Sequence, residues 1–177
     1  MRSSTIAGVR SKLKGFATIW AMVLLFGCQT LVLDPRGHSV PEAKWIPIPE
    51  SGERIGVYKT EDLTLAYKMV KSPGQLCISG EIRFADRIAE SFPLILYFHL
   101  AAILINAEGK VLNMPGLTSA ANYQTQYATL LDYPLTFSTT IPVSENTTSV
   151  AFSYTGKAYD GSDPEGGSID FWEYPVY

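Results

Sequence analysis

Apolar and polar positions alternate with a period of two in four stretches of the chain, the spacing of a half-buried β-strand. In residues 63–69 the apolar set is Leu63, Leu65, Tyr67 and Met69. In residues 76–84 it is Leu76, Ile78, Ile82 and Phe84, with Ser79, Glu81 and Arg83 on the opposite parity. Leu135, Phe137, Ile141 and Val143 form a third set, and Val150, Phe152, Tyr154 and Ala158 a fourth. Turn chemistry separates them: Ser72-Pro73-Gly74, the Asn-Ala-Glu-Gly-Lys run at 106–110, Ser144-Glu145-Asn146 and the Gly-rich run 160–167. Phe171, Trp172, Tyr174 and Tyr177 close the chain as a last strand whose aromatics seal the fold. Short alternating strands joined in this way predict an all-β fold, a mostly antiparallel β-sandwich.

Two segments break the alternation. Residues 92–105 are apolar on both parities and run directly into the 106–110 turn, which predicts a long central strand covered on both faces. Residues 117–131 place Leu117, Ala120, Ala121, Tyr127, Ala128 and Leu131 at helical spacing, which predicts one short helix as that cover. The outer face of the long strand is alternatively a surface for a partner or lipid. With 46% hydrophobic, 18% charged and 12% aromatic residues over 177 positions, the chain can fill one core.

The amino-terminal residues follow different rules. A basic stretch with Arg2, Arg10, Lys12 and Lys14 precedes eleven residues, 16–26, that are apolar apart from Thr18. As a helix they span about 16 Å, half the hydrocarbon thickness of a bilayer, so they fit a secretory signal rather than a transmembrane anchor. Leu25-Phe26-Gly27-Cys28 then resembles the lipobox of bacterial membrane lipoproteins. The resemblance covers only the first 28 residues. It implies a diacylglycerol thioether on Cys28, cleavage before Cys28, and a further acyl chain such as palmitate on the new amino group. Two or three chains hold a protein firmly, where one does not. In Gram-negative lipoproteins the next residue helps to direct sorting, and Gln29, in place of Asp, implies the outer membrane, facing the periplasm.

The expected organisation is therefore a signal peptide over residues 1–27, a lipidated tether over 28–53 and a β-sandwich domain over 54–177. Pro35, Pro41, Pro47 and Pro49, with Gly37 and Gly52, predict that the tether is extended, with the Trp45-Ile46-Pro47-Ile48 patch docking on the domain.

Net charge narrows the partners. All four charges in residues 1–27 are basic, which leaves ten basic against seventeen acidic residues from Cys28 onward, a net of −7. Such a body has no long-range attraction to nucleic acid or to anionic lipid heads. Membrane attachment is left to the anchor, and the expected partner is an envelope protein.

No catalytic residue, cofactor or metal site is assigned. His38 falls in the tether, and His99 in the most apolar strand, where a core or rim position is the ordinary role. Cys77, on the polar parity of its strand, is the only Cys besides Cys28, so no intramolecular disulfide is available to a lipidated chain. The loop with Asp160, Asp163, Glu165 and Asp170 has carboxylates that calcium could use, but the twelfth position counted from Asp160 is Phe171, which breaks the EF-hand spacing. Asn146-Thr147-Thr148 matches a glycosylation acceptor, which a bacterial signal makes irrelevant. The functional expectation is a structural or protein-binding envelope component; the alternatives are a carbohydrate- or small-ligand-binding lipoprotein and an enzyme.

Overall fold

A computed structural model describes residues 34–92, 94–123, 134–160 and 167–177. Pro35–Tyr177 is one compact unit, and its strands form two antiparallel sheets. In the first, β9 (Ser149–Tyr159) pairs with β5 (Leu94–Ile105) along its whole length. On the far side of β9, β1 (Ile46–Pro47) and β10 (Ser168–Glu173) take successive lengths of its edge. On the far side of β5, β6 (Val111–Asn113) and β7 (Gly116–Tyr123) do the same. The second sheet has the order β2 (Glu53–Lys59), β3 (Leu63–Ser72), β4 (Gln75–Phe84), β8 (Leu135–Pro142). This is the all-β sandwich expected from the alternation.

The core lies between the sheets and consists of the inward parity of each strand. Leu63, Leu65, Tyr67 and Met69 of β3 are buried, as are Leu76, Ile78, Ile82 and Phe84 of β4. They face Ile95, Phe98, Leu100, Ala102 and Leu104 of β5 and Val150, Phe152, Tyr154 and Ala158 of β9. Burying one large aliphatic or aromatic side chain in this way contributes about 1.5–3 kcal/mol. The β3–β4 hairpin closes on Pro73-Gly74, with Ser72 opposite Gln75 and Gly74 at φ 69°, a left-handed conformation that favours glycine.

The carboxyl half of β5 is buried on both faces. Ile103 and Ile105 point away from the main core and join Val40, Val111 and Ala151 in a second cluster, closed by Trp45, Met114 and Val176. The cover therefore comes from residues expected to form a tether. Val111 N–H donates to the His38 carbonyl at 2.9 Å, and Val40 N–H donates to the Gly109 carbonyl at 3.0 Å. Ser39 and Tyr177 exchange two backbone bonds of 2.9 and 3.0 Å, and Trp45 Nε1 donates to the Val40 carbonyl at 2.9 Å. The start of the compact unit thus moves from residue 54 to Pro35, and residues 35–52 are a strap laid on the first sheet. Proline and glycine punctuate a strap as readily as a free linker; what distinguishes the two is an apolar face that needs burying, and Ile103 and Ile105 supply one. The docking expected of the 45–48 patch is present, with Ile48 buried and Ile46 packed on the core.

The expected helix over residues 117–131 is a second correction. Residues 116–123 form β7, with Ala120 opposite Phe98 and Thr118 opposite Leu100; residues 124–131 lie outside the described ones. The free edge of β5 offers unpaired backbone groups, and that demand overrides a helical spacing that rests on small residues. Among the described residues the helical turns are Glu42–Lys44, a 3-10 turn, and α1 (Asp86–Ala89).

Candidate functional site

Strand β2 has the sequence Glu-Arg-Ile-Gly-Val-Tyr-Lys. Its inward positions are Gly56 and Tyr58; Glu53, Ile55, Val57 and Lys59 lie on the opposite face and are exposed. A Cβ at Gly56 would overlap the Tyr67 hydroxyl, so the absence of a side chain lets β2 close over β3. Tyr58 packs edge-on against Phe152 of the other sheet, with ring centroids 5.5 Å apart. On β10, Phe171 is buried against Phe84 and Phe98 at 5.6 and 6.2 Å, while Trp172 faces out. Among the described residues the large apolar side chains left in solvent are Ile55 (71% exposed), Val57 (66%), Trp172 (65%), Tyr174 (47%) and Tyr177 (73%). Two sit on β2 and the other three on β10 and the residues just after it.

A polar clasp joins these two strands to the strap. Lys44 Nζ lies 2.7 Å from Glu173 Oε1 and 5.5 Å from the centroid of the Tyr58 ring. The Tyr58 hydroxyl donates to the same carboxylate oxygen at 3.4 Å. The bond to Glu173 raises the Lys44 pKa above its ordinary value, and burial raises that of Tyr58. The ammonium and the neutral phenol are therefore the stable forms near neutrality. The clasp ties Lys44 of the strap, Glu173 of the first sheet and Tyr58 of the second.

A second polar network lies where the β2–β3 turn meets β9. The Tyr154 hydroxyl donates to Asp62 Oδ2 at 2.8 Å and lies 2.7 Å from Thr60 Oγ1. Thr60 Oγ1 also accepts from the N–H groups of Asp62 and Leu63, each at 3.2 Å. The other oxygen of the buried Asp62 carboxylate pairs with Arg87 of α1. Burial holds the Tyr154 phenol protonated far above its ordinary range. A neutral phenol locked onto a paired carboxylate is a tie between the sheets. Beside it an open hollow of about 600 Å³ is lined by Lys59, Thr60, Glu61, Thr64, Arg83 and Asp86, a mixture of both charges.

The sequence candidates are not brought together. Cys28 lies outside the described residues, as do Asp163 and Glu165. His38 is exposed in the strap. His99 is exposed on the outer face of β5, between Ser119 of β7 and Thr155 of β9, so it lies mid-sheet on the solvent side and outside the core. Cys77 is a free, half-buried thiol on β4 between Val70 and Thr140. Asn146 is exposed in the β8–β9 turn. Among the described residues, no three His, Cys, Asp or Glu side chains are grouped to hold a metal ion, and no helix is long and apolar enough to cross a membrane.

Sequence reasoning missed both polar networks, whose members are 92 and 115 positions apart. The Thr60-Glu61-Asp62 turn is the one local signal, since a Thr placed to cap the amides two and three residues on marks a tight corner. The molecule is thus a two-sheet antiparallel sandwich with a strapped outer face and exposed apolar side chains on the outer faces of β2 and β10. No protein-family model, no curated protein and no solved structure matches the chain.

Proposed function

We propose that this protein is a lipoprotein of the bacterial envelope, held by acyl chains on Cys28 and facing the periplasm from the outer membrane, whose sandwich acts as a structural or protein-binding module rather than as an enzyme. The lipobox Leu25-Phe26-Gly27-Cys28 supports the address. The task rests on one observation: among the described residues the exposed large apolar side chains are Ile55 and Val57 on β2, Trp172 on β10, and Tyr174 and Tyr177 after it. Apolar side chains exposed in this way are places where another protein gains by covering them. The acidic balance of the body fits a protein partner better than nucleic acid.

Ligand binding is the weaker alternative, because the hollow at the β2–β3 turn is lined by opposed charges and its one aromatic, Phe84, is buried. An enzyme would need more than His99 on an exposed sheet face. Two measurements test the proposal. Labelled fatty acid is expected to be incorporated into the full chain and lost in Cys28→Ser. Crosslinking in the native envelope, read by mass spectrometry, is expected to join Trp172 or residues 53–59 to protein. A mature chain without acyl mass overturns the address, and the absence of protein crosslinks at these positions overturns the task.

A further inference from the structure

From the composition of β2 we infer that this edge strand pairs with the β2 of a second copy, antiparallel about a two-fold axis at Gly56, so that two four-stranded sheets become one of eight strands. The inference deepens the protein-binding proposal above by naming the partner. Among the described residues β2 stands at the end of the second sheet, and an edge strand presents a row of backbone donors and acceptors with no partner in that sheet. Such edges are normally protected by being short, polar or covered. β2 has seven residues, and Ile55 and Val57 are among the most exposed apolar side chains described.

The sequence of β2 is complementary to itself in one register. With Gly56 opposite Gly56 of the second copy, Glu53 faces Lys59, Ile55 faces Val57, and by symmetry each pair occurs twice. All four side chains lie on the same exposed face, where directly opposed residues approach within about 4.5–5.5 Å. Two ion pairs then flank a block of four apolar side chains. A register shifted by two residues in either direction puts Ile55 or Val57 opposite itself and leaves Glu53 facing Val57 or Glu61. Opposite charges at both ends of an apolar centre give the isologous contact that a two-fold dimer needs. The Glu53–Lys68 bridge to β3 holds the carboxylate on this face without removing it from reach.

The test uses the full chain, with its leader, in envelope membranes and in a Cys77→Ser background. The double variant I55C/V57C is expected to give a disulfide-linked dimer under mild oxidation, because residues 55 and 57 are opposed. Ile55→Cys or Val57→Cys alone is expected to give little, because like residues sit on a diagonal about 7–8 Å apart, beyond disulfide reach. Glu53→Lys and Lys59→Glu are each expected to weaken self-association about tenfold, and the double swap to restore it. Neither single reversal nor the swap keeps both the Lys68 bridge and the inter-copy pairs, so recovery in the swap reports the contact between copies. A double-cysteine dimer yield no higher than that of the single variants, or a swap no better than the singles, overturns the inference. Linkage of these cysteines to a different protein only also overturns it, while leaving the protein-binding proposal standing.

Discussion

Along β8 the outward positions are Thr136, Ser138, Thr140 and Pro142, whereas β2, at the other end of the same sheet, turns Ile55 and Val57 to solvent. Both strands bury their inner parity: Phe137 and Ile141 on β8, Tyr58 on β2. Their outer faces differ in kind. β8 is polar, ends on a proline that offers no donor, and is tied to the first sheet by Thr139 Oγ1 donating to the Leu117 carbonyl at 2.7 Å. Those are the devices by which an edge avoids pairing with other chains. β2 is likewise tied to the first sheet, through Tyr58, but it has no proline, and its outward row is two apolar side chains between self-matching charges. Both edges support the core, and only one invites a partner.

The largest expected effect is on association. Val57→Lys on β2 places two ammonium groups in the proposed contact and is expected to weaken self-association by about a hundredfold, roughly 2.7 kcal/mol. Thr140→Lys on β8 is expected to leave it unchanged. Sedimentation of the purified full chain in detergent distinguishes the two, and equal effects from both strands would erase the contrast.

The next effect separates the inner faces. A Cβ at Gly80, opposite Phe137 of β8, would meet the Ala66 carbonyl of the backbone, while one at Gly56 would meet the end of the Tyr67 side chain. Backbone cannot give way as a side chain can. Gly80→Ala is therefore expected to cost about 2 kcal/mol in chemical denaturation and Gly56→Ala about 1 kcal/mol.

The smallest effect is on pH dependence. β8 carries no titratable side chain, while β2 is held by Tyr58 beside Lys44 and Glu173. The folded pKa values of Tyr58 and Tyr154 lie above their ordinary value of 10.0, and that of Lys44 above 10.5. The folded state therefore keeps protons that the unfolded chain releases. Their contribution is full below pH 10 and is lost as the pH climbs toward the raised values. Denaturation midpoints between pH 8 and 11 are expected to fall at the alkaline end, and Tyr58→Phe to flatten the decline. An unchanged slope in that variant would remove Tyr58 from the cause.

Legibility in the sequence followed locality. Strands β3, β4 and β8 alternate because each has one buried face, and their inward residues are the ones the pattern names; in β9 the alternation survives because the second buried parity is filled by Ser149, Ala151 and Ser153. The long central strand was legible as apolar on both parities, yet the identity of its cover was not. Val40, Trp45 and Val176 come from the two ends of the described unit, and no periodicity within the strap marks where it docks. Residues 117–123 misled because small and aromatic residues fit helical spacing by chance, while the pairing demand of β5 is invisible from the segment alone. The polar ties Tyr154–Asp62 and Tyr58–Glu173 join positions about a hundred apart. The exposed face of β2 was readable residue by residue, but its meaning depends on β2 being an edge, which is a property of the sheet.

Hydrogen exchange of the full chain, read for Glu53–Lys59 at high and low protein concentration, tests that meaning most directly. Slow exchange at the alternate β2 amides that point away from β3, becoming fast on dilution and in Val57→Lys at any concentration, is the expected result, with Leu135–Pro142 unchanged throughout. Exchange across β2 that is independent of both concentration and the substitution would contradict pairing through this edge.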